Sequence, residues 1–142
     1  MAKLLKVDIL IPSVHVFSGE AVHVGAPATE GDIGFMYMCS PLMTTLKRGP
    51  IRVRGEDGNV LTFVSDGGYL EVDGYRVVIL VSRAIEISII DRGLSERRIK
   101  RDEKRIGELH DNNAVAYAYA ELSWNTYLLK ATDMSARPED LR

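Results

Sequence analysis

The chain has 142 residues, with 18 lysines and arginines against 20 aspartates and glutamates, a formal net charge of −2. Hydrophobic residues make up 46% and charged residues 27%, a balance that excludes a disordered chain. The near-neutral charge argues against a nucleic-acid binder, which carries a clustered basic excess. A single cysteine, Cys39, forms no internal disulfide, and with three scattered histidines it falls short of the roughly four ligands of a structural zinc site. That usage fits a reducing compartment.

At the N-terminus, the apolar stretch after Lys6 contains Asp8, Pro12 and His15, and no small-residue cleavage site follows, so it does not read as a secretion signal. Residues 5–11 alternate Leu5, Val7, Ile9 and Ile11 with Lys6, Asp8 and Leu10, the period of a half-buried strand. Residues 21–26 are a second candidate strand, ended by Pro27. The longest uncharged run, 33–46, contains Gly34 and Pro41 and is shorter than the about 20 residues a spanning helix needs. A soluble protein with no direct membrane insertion is expected. Ile51 and Val53 then alternate with Arg52 and Arg54. The turn Glu56-Asp57-Gly58-Asn59 leads into a strand over 60–64, because Gly accepts positive φ at little cost. Ser65-Asp66-Gly67-Gly68 and Asp73-Gly74 punctuate strands over 69–72 and 75–81, and 83–89 alternates once more.

Composition changes near residue 90. Residues 1–90 hold ten of the twelve glycines and four of the five prolines, so the first part reads as short strands and the second as helices. The expected fold is an all-β N-terminal antiparallel sandwich, a flattened barrel of about ten short strands over 1–90, followed by a C-terminal α-helical hairpin over 91–142. Residues 92–109 form a charged helix with seven basic and four acidic residues, and Ser95 is a candidate cap. His110-Asp111-Asn112-Asn113 is the interhelix turn. A second helix over 114–130 carries an apolar stripe of Val115, Ala118, Tyr119, Leu122, Thr126 and Leu129. The tail 135–142 reads as frayed and polar.

Chemistry-bearing constellations are scarce. Neither standard phosphate cradle is present, and Gly31-Asp32-Ile33-Gly34 is a lone Gly-x-x-Gly that reads first as a turn between strands. A nucleophilic Cys39 would need a histidine to draw off its proton, and His23 alternates on a strand, so Cys39 reads as inert. The acid pairs Glu56/Asp57 and Asp102/Glu103 fit solvated faces. The basic cluster at 97–105 has interleaved acids and no aromatic platform for bases, which suits a solvated face or an acidic protein partner. Phe35, Met36, Tyr37, Met38, Leu42 and Met43 cluster in one segment. Their residue types leave two readings open, an adaptable contact patch or core filler. The alternative function from the residues alone is a stand-alone β-sandwich module that binds a small molecule or peptide.

The order of motifs resembles one known family. Phe17-Ser18-Gly19-Glu20 is similar to its Phe-Ser-Gly turn. Thr29-Glu30-Gly31-Asp32-Ile33-Gly34 resembles its Gly-x-x-Gly loop. Residues 41–49, from Pro41 through Leu42 and Lys47 to Gly49, resemble its Pro-Leu-Leu-Thr-x-Leu-Lys-x-Gly segment. Gly67-Gly68-Tyr69-Leu70-Glu71-Val72 matches its Gly-Gly-x-Leu-Glu-Val strand. The family is the epsilon subunit of bacterial F-type ATP synthase, equivalent to mitochondrial delta. The resemblance implies a non-catalytic central-stalk subunit of a proton- or sodium-driven synthase. Its sandwich would dock on the gamma subunit and the c-ring. Its hairpin would reach the alpha and beta subunits and regulate ATP hydrolysis. The place implied is the cytoplasmic face of the cell inner membrane, peripheral to the bilayer. The partner-contact residues it implies are Glu30, Gly31, Asp32, Ile33, Gly34, Met36, Met38, Cys39 and Tyr69.

The chain departs from the family pattern at three places. Residues 35–40 read Phe-Met-Tyr-Met-Cys-Ser where Ile-Leu-Pro-Gly-His-Ala is usual, in a loop that faces the c-ring in relatives. Of the family's nucleotide signature, Ile/Leu-Asp-x-x-Arg-Ala, Ile90 and Asp91 remain, but Leu94 stands where the Arg is expected. Losing that guanidinium removes a charge-assisted phosphate contact, so no resident cofactor and weak or absent ATP binding are expected. The second helix holds one base, Lys130, within 114–130, which weakens the expected inhibitory contact.

Overall fold

The computed structural model describes residues 3–135. The chain divides into two compact units, one ending at Glu86 and the other starting at Ile87. The sequence expectation for the tail falls mostly on 136–142, outside the described residues.

The first unit consists of β1 (Leu5–Ile11), β2 (Val14–Ala21), β3 (His23–Ala28), β4 (Gly31–Phe35), β5 (Leu42–Leu46), β6 (Gly49–Arg54), β7 (Val60–Ser65), β8 (Gly68–Val72), β9 (Arg76–Val81) and β10 (Ala84–Glu86). Hydrogen bonds link nine strands in the order β10-β7-β6-β3-β5-β8-β9-β1-β2, and β4 pairs with β3. The sheet folds over between β3 and β5, where only Ala28 and Leu46 pair. This gives two layers, β10-β7-β6-β3-β4 and β5-β8-β9-β1-β2. Phe17 of β2 meets Phe63 of β7 at 5.5 Å between ring centroids, so the far edges also approach and the sandwich nearly closes.

The alternation read in the sequence is what fills the interior. Leu5, Val7 and Ile9 of β1, Leu70 and Val72 of β8, and Val77, Ile79 and Val81 of β9 point inward and meet Ile51, Val53 and Phe63 of the other layer. A strand buries one side chain in two, so these positions set the register of every neighbour. One pairing departs from the antiparallel rule. β1 lies parallel to β9, with Val7 opposite Val77 and Ile9 opposite Ile79. A parallel pair needs a long crossover, and here strands β2 to β8 supply it.

Three local readings change. Phe17-Ser18-Gly19-Glu20 is strand, not turn: Ser18 pairs with Asp8 and Phe17 with Ile9. Gly31-Asp32-Ile33-Gly34 is also strand, with the turn at Thr29-Glu30 just before it; Gly34 pairs with Gly25. A Cβ on Gly34 would lie 2.7 Å from His23 Nε2, so a side chain there would push the imidazole aside. The last alternation stops at Glu86, and Ile87–Ile89 form a short 3-10 turn instead of continuing the strand.

The second unit is a helical hairpin. Helix α1 (Arg92–Glu108) and helix α2 (Asn112–Ser135) pack on each other across a three-residue connection, 109–111. Asp91, not Ser95, caps α1: its carboxylate accepts the Leu94 N–H at 3.0 Å, while Ser95 is buried. At the end far from the connection, Arg92 donates to Asp133 at 2.7 Å and to the Thr132 hydroxyl at 3.0 Å, which ties the start of α1 to the end of α2. In α2 the buried positions are Ala118, Trp124, Asn125, Leu128 and Ala131. Tyr119, expected in the stripe, is exposed; the buried face runs through Asn125 and Leu128 instead. Because α2 is apolar nearly all round, periodicity alone did not fix its rotation.

Candidate functional site

The outer face of the β5-β8-β9-β1 layer is where the sandwich breaks the inside-apolar rule. Outward positions of these strands form cross-strand rows. Thr45 pairs with Tyr69, Tyr69 with Leu80, and Leu80 with Leu10. In the next row Met43 pairs with Glu71, Glu71 with Val78, and Val78 with Asp8. Met43, Tyr69 and Leu80 are exposed, at 69%, 61% and 49%. Together with Val78 they line one shallow, mostly apolar depression, with Glu71 on its rim. A second cleft, of about 610 Å³, opens beside Tyr69 and Leu80 and is walled by Leu10, Pro12 and Val14. Contiguous exposed apolar surface of this kind marks a binding face.

Its foundation is an ion pair between a buried Asp8 and a half-exposed Arg76. Asp8 is only 3% exposed. Its Oδ1 accepts the Ser18 hydroxyl at 2.7 Å; its Oδ2 accepts Arg76 Nη2 at 2.8 Å and Nε at 3.1 Å. The Ser18 hydrogen bond first, and the Arg76 guanidinium after it, outweigh burial and hold the Asp8 carboxyl below its ordinary value. The three residues come from β1, β2 and β9 and fix these strands side by side. Glycine opens the neighbouring end: Gly67 has φ of 93°, and a Cβ on Gly68 would lie 2.0 Å from Leu80 O, so β8 and β9 approach closely where Tyr69 begins.

The sequence-predicted contact residues separate into two groups. Glu30, Gly31 and Asp32 are exposed at the β3–β4 turn. Thr29 donates its N–H to Thr45 O at 3.0 Å, which sets this turn at the Leu46 end of β5, beside Tyr69. Met36, Met38 and Cys39 lie at the other end. Met38 donates its N–H to Gly74 O at 2.6 Å, so their loop rests on the β8–β9 turn, where Leu42 pairs with Val72. The two ends of β5 are about 13 Å apart at 3.3 Å per residue. Ile33 and Cys39 are partly buried and pack against the core, so they leave the exposed set. Gly34 is exposed on β4, between the two groups.

The loop over 36–39 is shaped by its aromatic residue. Tyr37 packs on Tyr75 at 5.4 Å, and Lys3 Nζ lies 5.6 Å from the Tyr37 ring centroid. That turns Tyr37 inward and leaves Met36 and Met38 at 60% and 65% exposure. Met38 adopts φ of 67°, a left-handed conformation uncommon for a non-glycine residue. The Asp73 carboxylate accepts the N–H groups of Tyr75 and Arg76 and so sits below its usual acidity range, firming the turn the loop leans on.

Leu80 and Leu10 were not singled out by sequence reasoning. Their signal was present: 77–81 is apolar on both faces, more than a half-buried strand requires. Asp91, the remnant of the nucleotide signature, has its carboxylate engaged as the α1 cap, and the adjacent Arg92 is held by Asp133 and by Glu96 at 3.5 Å. With Leu94 in place of the expected guanidinium, these residues do not fit a nucleotide phosphate. Among the described residues no cluster of His, Cys, Asp or Glu is arranged to hold a metal.

Comparison with known proteins agrees with this architecture. The family model for the beta-sandwich domain of the ATP synthase delta/epsilon chain matches residues 4–87. ATP synthase epsilon chain 1 of Methylococcus capsulatus is 33% identical over 123 residues, covering 87% of this chain and 88% of that one. The ATP synthase epsilon chain of Neisseria gonorrhoeae is 32% identical over 132 residues, covering 92% and 94%. In fold, the chain is similar to one from the Euglena gracilis mitochondrial ATP synthase (OSCP/F1/c-ring), with a TM-score of 0.64, 16% identity, and coverage of 84% and 76%. It is also similar to one from the Tetrahymena thermophila mitochondrial ATP synthase central stalk/c-ring, with a TM-score of 0.54, 17% identity, and coverage of 90% and 96%. A sandwich model spanning most of the first unit, and relatives a third identical along nearly their whole length, place the chain in the ATP synthase delta/epsilon chain family.

Proposed function

We propose that this chain is the central-stalk subunit that couples gamma to the c-ring of an F-type ATP synthase, and that the two groups of contact residues divide that work. The apolar outer face around Met43, Tyr69 and Leu80 takes the gamma subunit, with Met36 and Met38 at its margin. The polar turn with Glu30, Gly31 and Asp32 meets the loops of the c-ring. The Met-rich loop is thus reassigned from the c-ring to gamma, because it is apolar and sits at the opposite end of β5 from the acidic turn. The observation that carries the reading is the exposed Met43–Tyr69–Leu80 surface on a layer whose other side is fully packed. A stiff two-layer body with contacts at separate places can pass torque without chemistry of its own.

The chain would act at the cytoplasmic face of the inner membrane as a peripheral part of the synthase. No helix among the described residues is long and apolar enough to cross a membrane. The hairpin would reach the alpha and beta subunits.

The test is a pair of variants in the full chain. Leu80→Glu puts a charge at the centre of the apolar face and should weaken binding to a purified gamma subunit about a hundredfold. Asp32→Cys should cross-link to a cysteine in the c-ring loop of the assembled synthase. Unchanged affinity of Leu80→Glu would refute the assignment of the apolar face, and absence of cross-linking would refute that of the turn.

A further inference from the structure

Three of the chain's five methionines, Met36, Met38 and Met43, lie within eight residues, and all three are exposed by 60% or more. The fourth sulfur of this segment behaves differently: Cys39 is partly buried and packs against the core. An oxidant approaching from solvent therefore meets the thioethers more readily than the partly covered thiol. Tyr37 leans on Tyr75 in a tilted ring contact, and Met36 and Met38 flank it with exposed side chains. Met43 stands on β5 in the depression shared with Tyr69 and Leu80. An accessible methionine is the side chain on which one oxygen atom changes most: a flexible apolar group becomes polar and chiral.

We propose that Met36, Met38 and Met43 form a peroxide-sensitive sulfur patch that controls whether the unassembled chain can dock on the stalk. The proposal rests on the apolar face being the gamma-binding surface. Each thioether sulfur attacks one oxygen of hydrogen peroxide. The O–O bond breaks, sulfur gives up two electrons and gains the S–O bond, and the other oxygen leaves as water. The sulfoxide dipole then has to be desolvated for the face to close on a partner, which opposes association. Once docked, the same sulfurs are covered, so the chemistry acts on free subunit and not on assembled synthase. Methionine sulfoxide reductases with a thiol reductant reverse it.

The experiment treats the full chain with hydrogen peroxide, confirms by peptide mass spectrometry one added oxygen at each of the three residues, and measures affinity for a purified gamma subunit. The expected result is weakening of about tenfold or more. Both sulfoxide reductases together should restore the affinity. The Met36→Leu/Met38→Leu/Met43→Leu variant should show the same affinity before and after peroxide, although Cys39 and the other methionines are still present. Full oxidation of the three residues with unchanged affinity would overturn the proposal, as would an equal loss in the triple leucine variant. Leu80→Glu separates this from the docking assignment. If Leu80→Glu weakens binding and the sulfoxides do not, only the switch fails; if neither weakens it, the gamma-binding face itself is wrong.

Discussion

The ion pair under the outer face makes the sharpest quantitative prediction. Replacing Asp8 with alanine leaves the Ser18 hydroxyl and the Arg76 guanidinium without their acceptor. Hydrogen bonds to a charged group contribute roughly 1.5–3 kcal/mol each. Arg76 is half exposed, with 52% of its side chain accessible, so water replaces much of what it loses and its share must be discounted. Ser18 itself sits at an exposed position of β2, but its bond ends on the buried Asp8 carboxylate across β1–β2, so most of its share stays. The expected loss is about 2–3 kcal/mol, or about 10 °C or more in the melting temperature of a domain this size. Asp8→Asn keeps an acceptor for Ser18 and should lose about 1 kcal/mol. The pH dependence has a fixed sign. The folded Asp8 carboxyl titrates below its ordinary value of 3.8, so its contribution is complete above that value and disappears as pH falls through the lower, folded one. Urea unfolding of the full chain at neutral pH and in strong acid measures both effects. The wild type and Asp8→Ala should differ at pH 7 and converge in acid. A loss under about 0.5 kcal/mol at pH 7 would refute the view that this trio holds β1, β2 and β9 together.

Other perturbations follow from the same geometry. Gly68→Ala would place a methyl group 2.0 Å from Leu80 O, so the chain should fail to fold or lose about 3 kcal/mol or more in urea unfolding. In the hairpin, Asp102 is 1% exposed, its Oδ1 lies 3.3 Å from Arg101, and its Oδ2 has no hydrogen-bond partner among the described residues. Asp102→Leu should therefore raise the thermal midpoint of the helical unit, by about 1–3 kcal/mol in stability, and a lowered midpoint would show that the carboxylate is structural. Calorimetry with ATP should detect no binding at micromolar concentration, because Asp91 and Arg92 are committed to the cap and the Asp133 pair. A micromolar dissociation constant would contradict that.

Local rules made much of the architecture readable. Asp57-Gly58 and Asp73-Gly74 are turns because an aspartate can satisfy backbone N–H groups just ahead of it: Asp57 accepts the Asn59 N–H, and Asp73 those of Tyr75 and Arg76. The alternation in β1 and β6 and the loss of Gly and Pro after residue 90 told strands from helices. What escaped was set by partners far along the chain. Ser18 belongs to a strand because Asp8 lies across from it, and Arg76 closes that contact from 68 positions away. The parallel pairing of β1 with β9 has no local signature. Asp91 caps α1 because the helix begins at Arg92, one turn ahead of Ser95, which lies inside it. At the site, motif order pointed to the family, but it could not show that Glu30–Asp32 and Met36–Cys39 lie at opposite ends of β5. Nor could it show that Leu80 and Tyr69 share one face. The stand-alone binding module, the alternative from composition, gives way to membership of the family.

The central claim is that this sandwich exists to hold other proteins of the stalk. The most direct measurement mixes the purified full chain with a purified gamma subunit of an F-type synthase and follows the mixture by size exclusion with light scattering. A one-to-one complex that persists through the column, and that Leu80→Glu disrupts, is the result this account predicts. Two separately eluting proteins at micromolar concentration would contradict it.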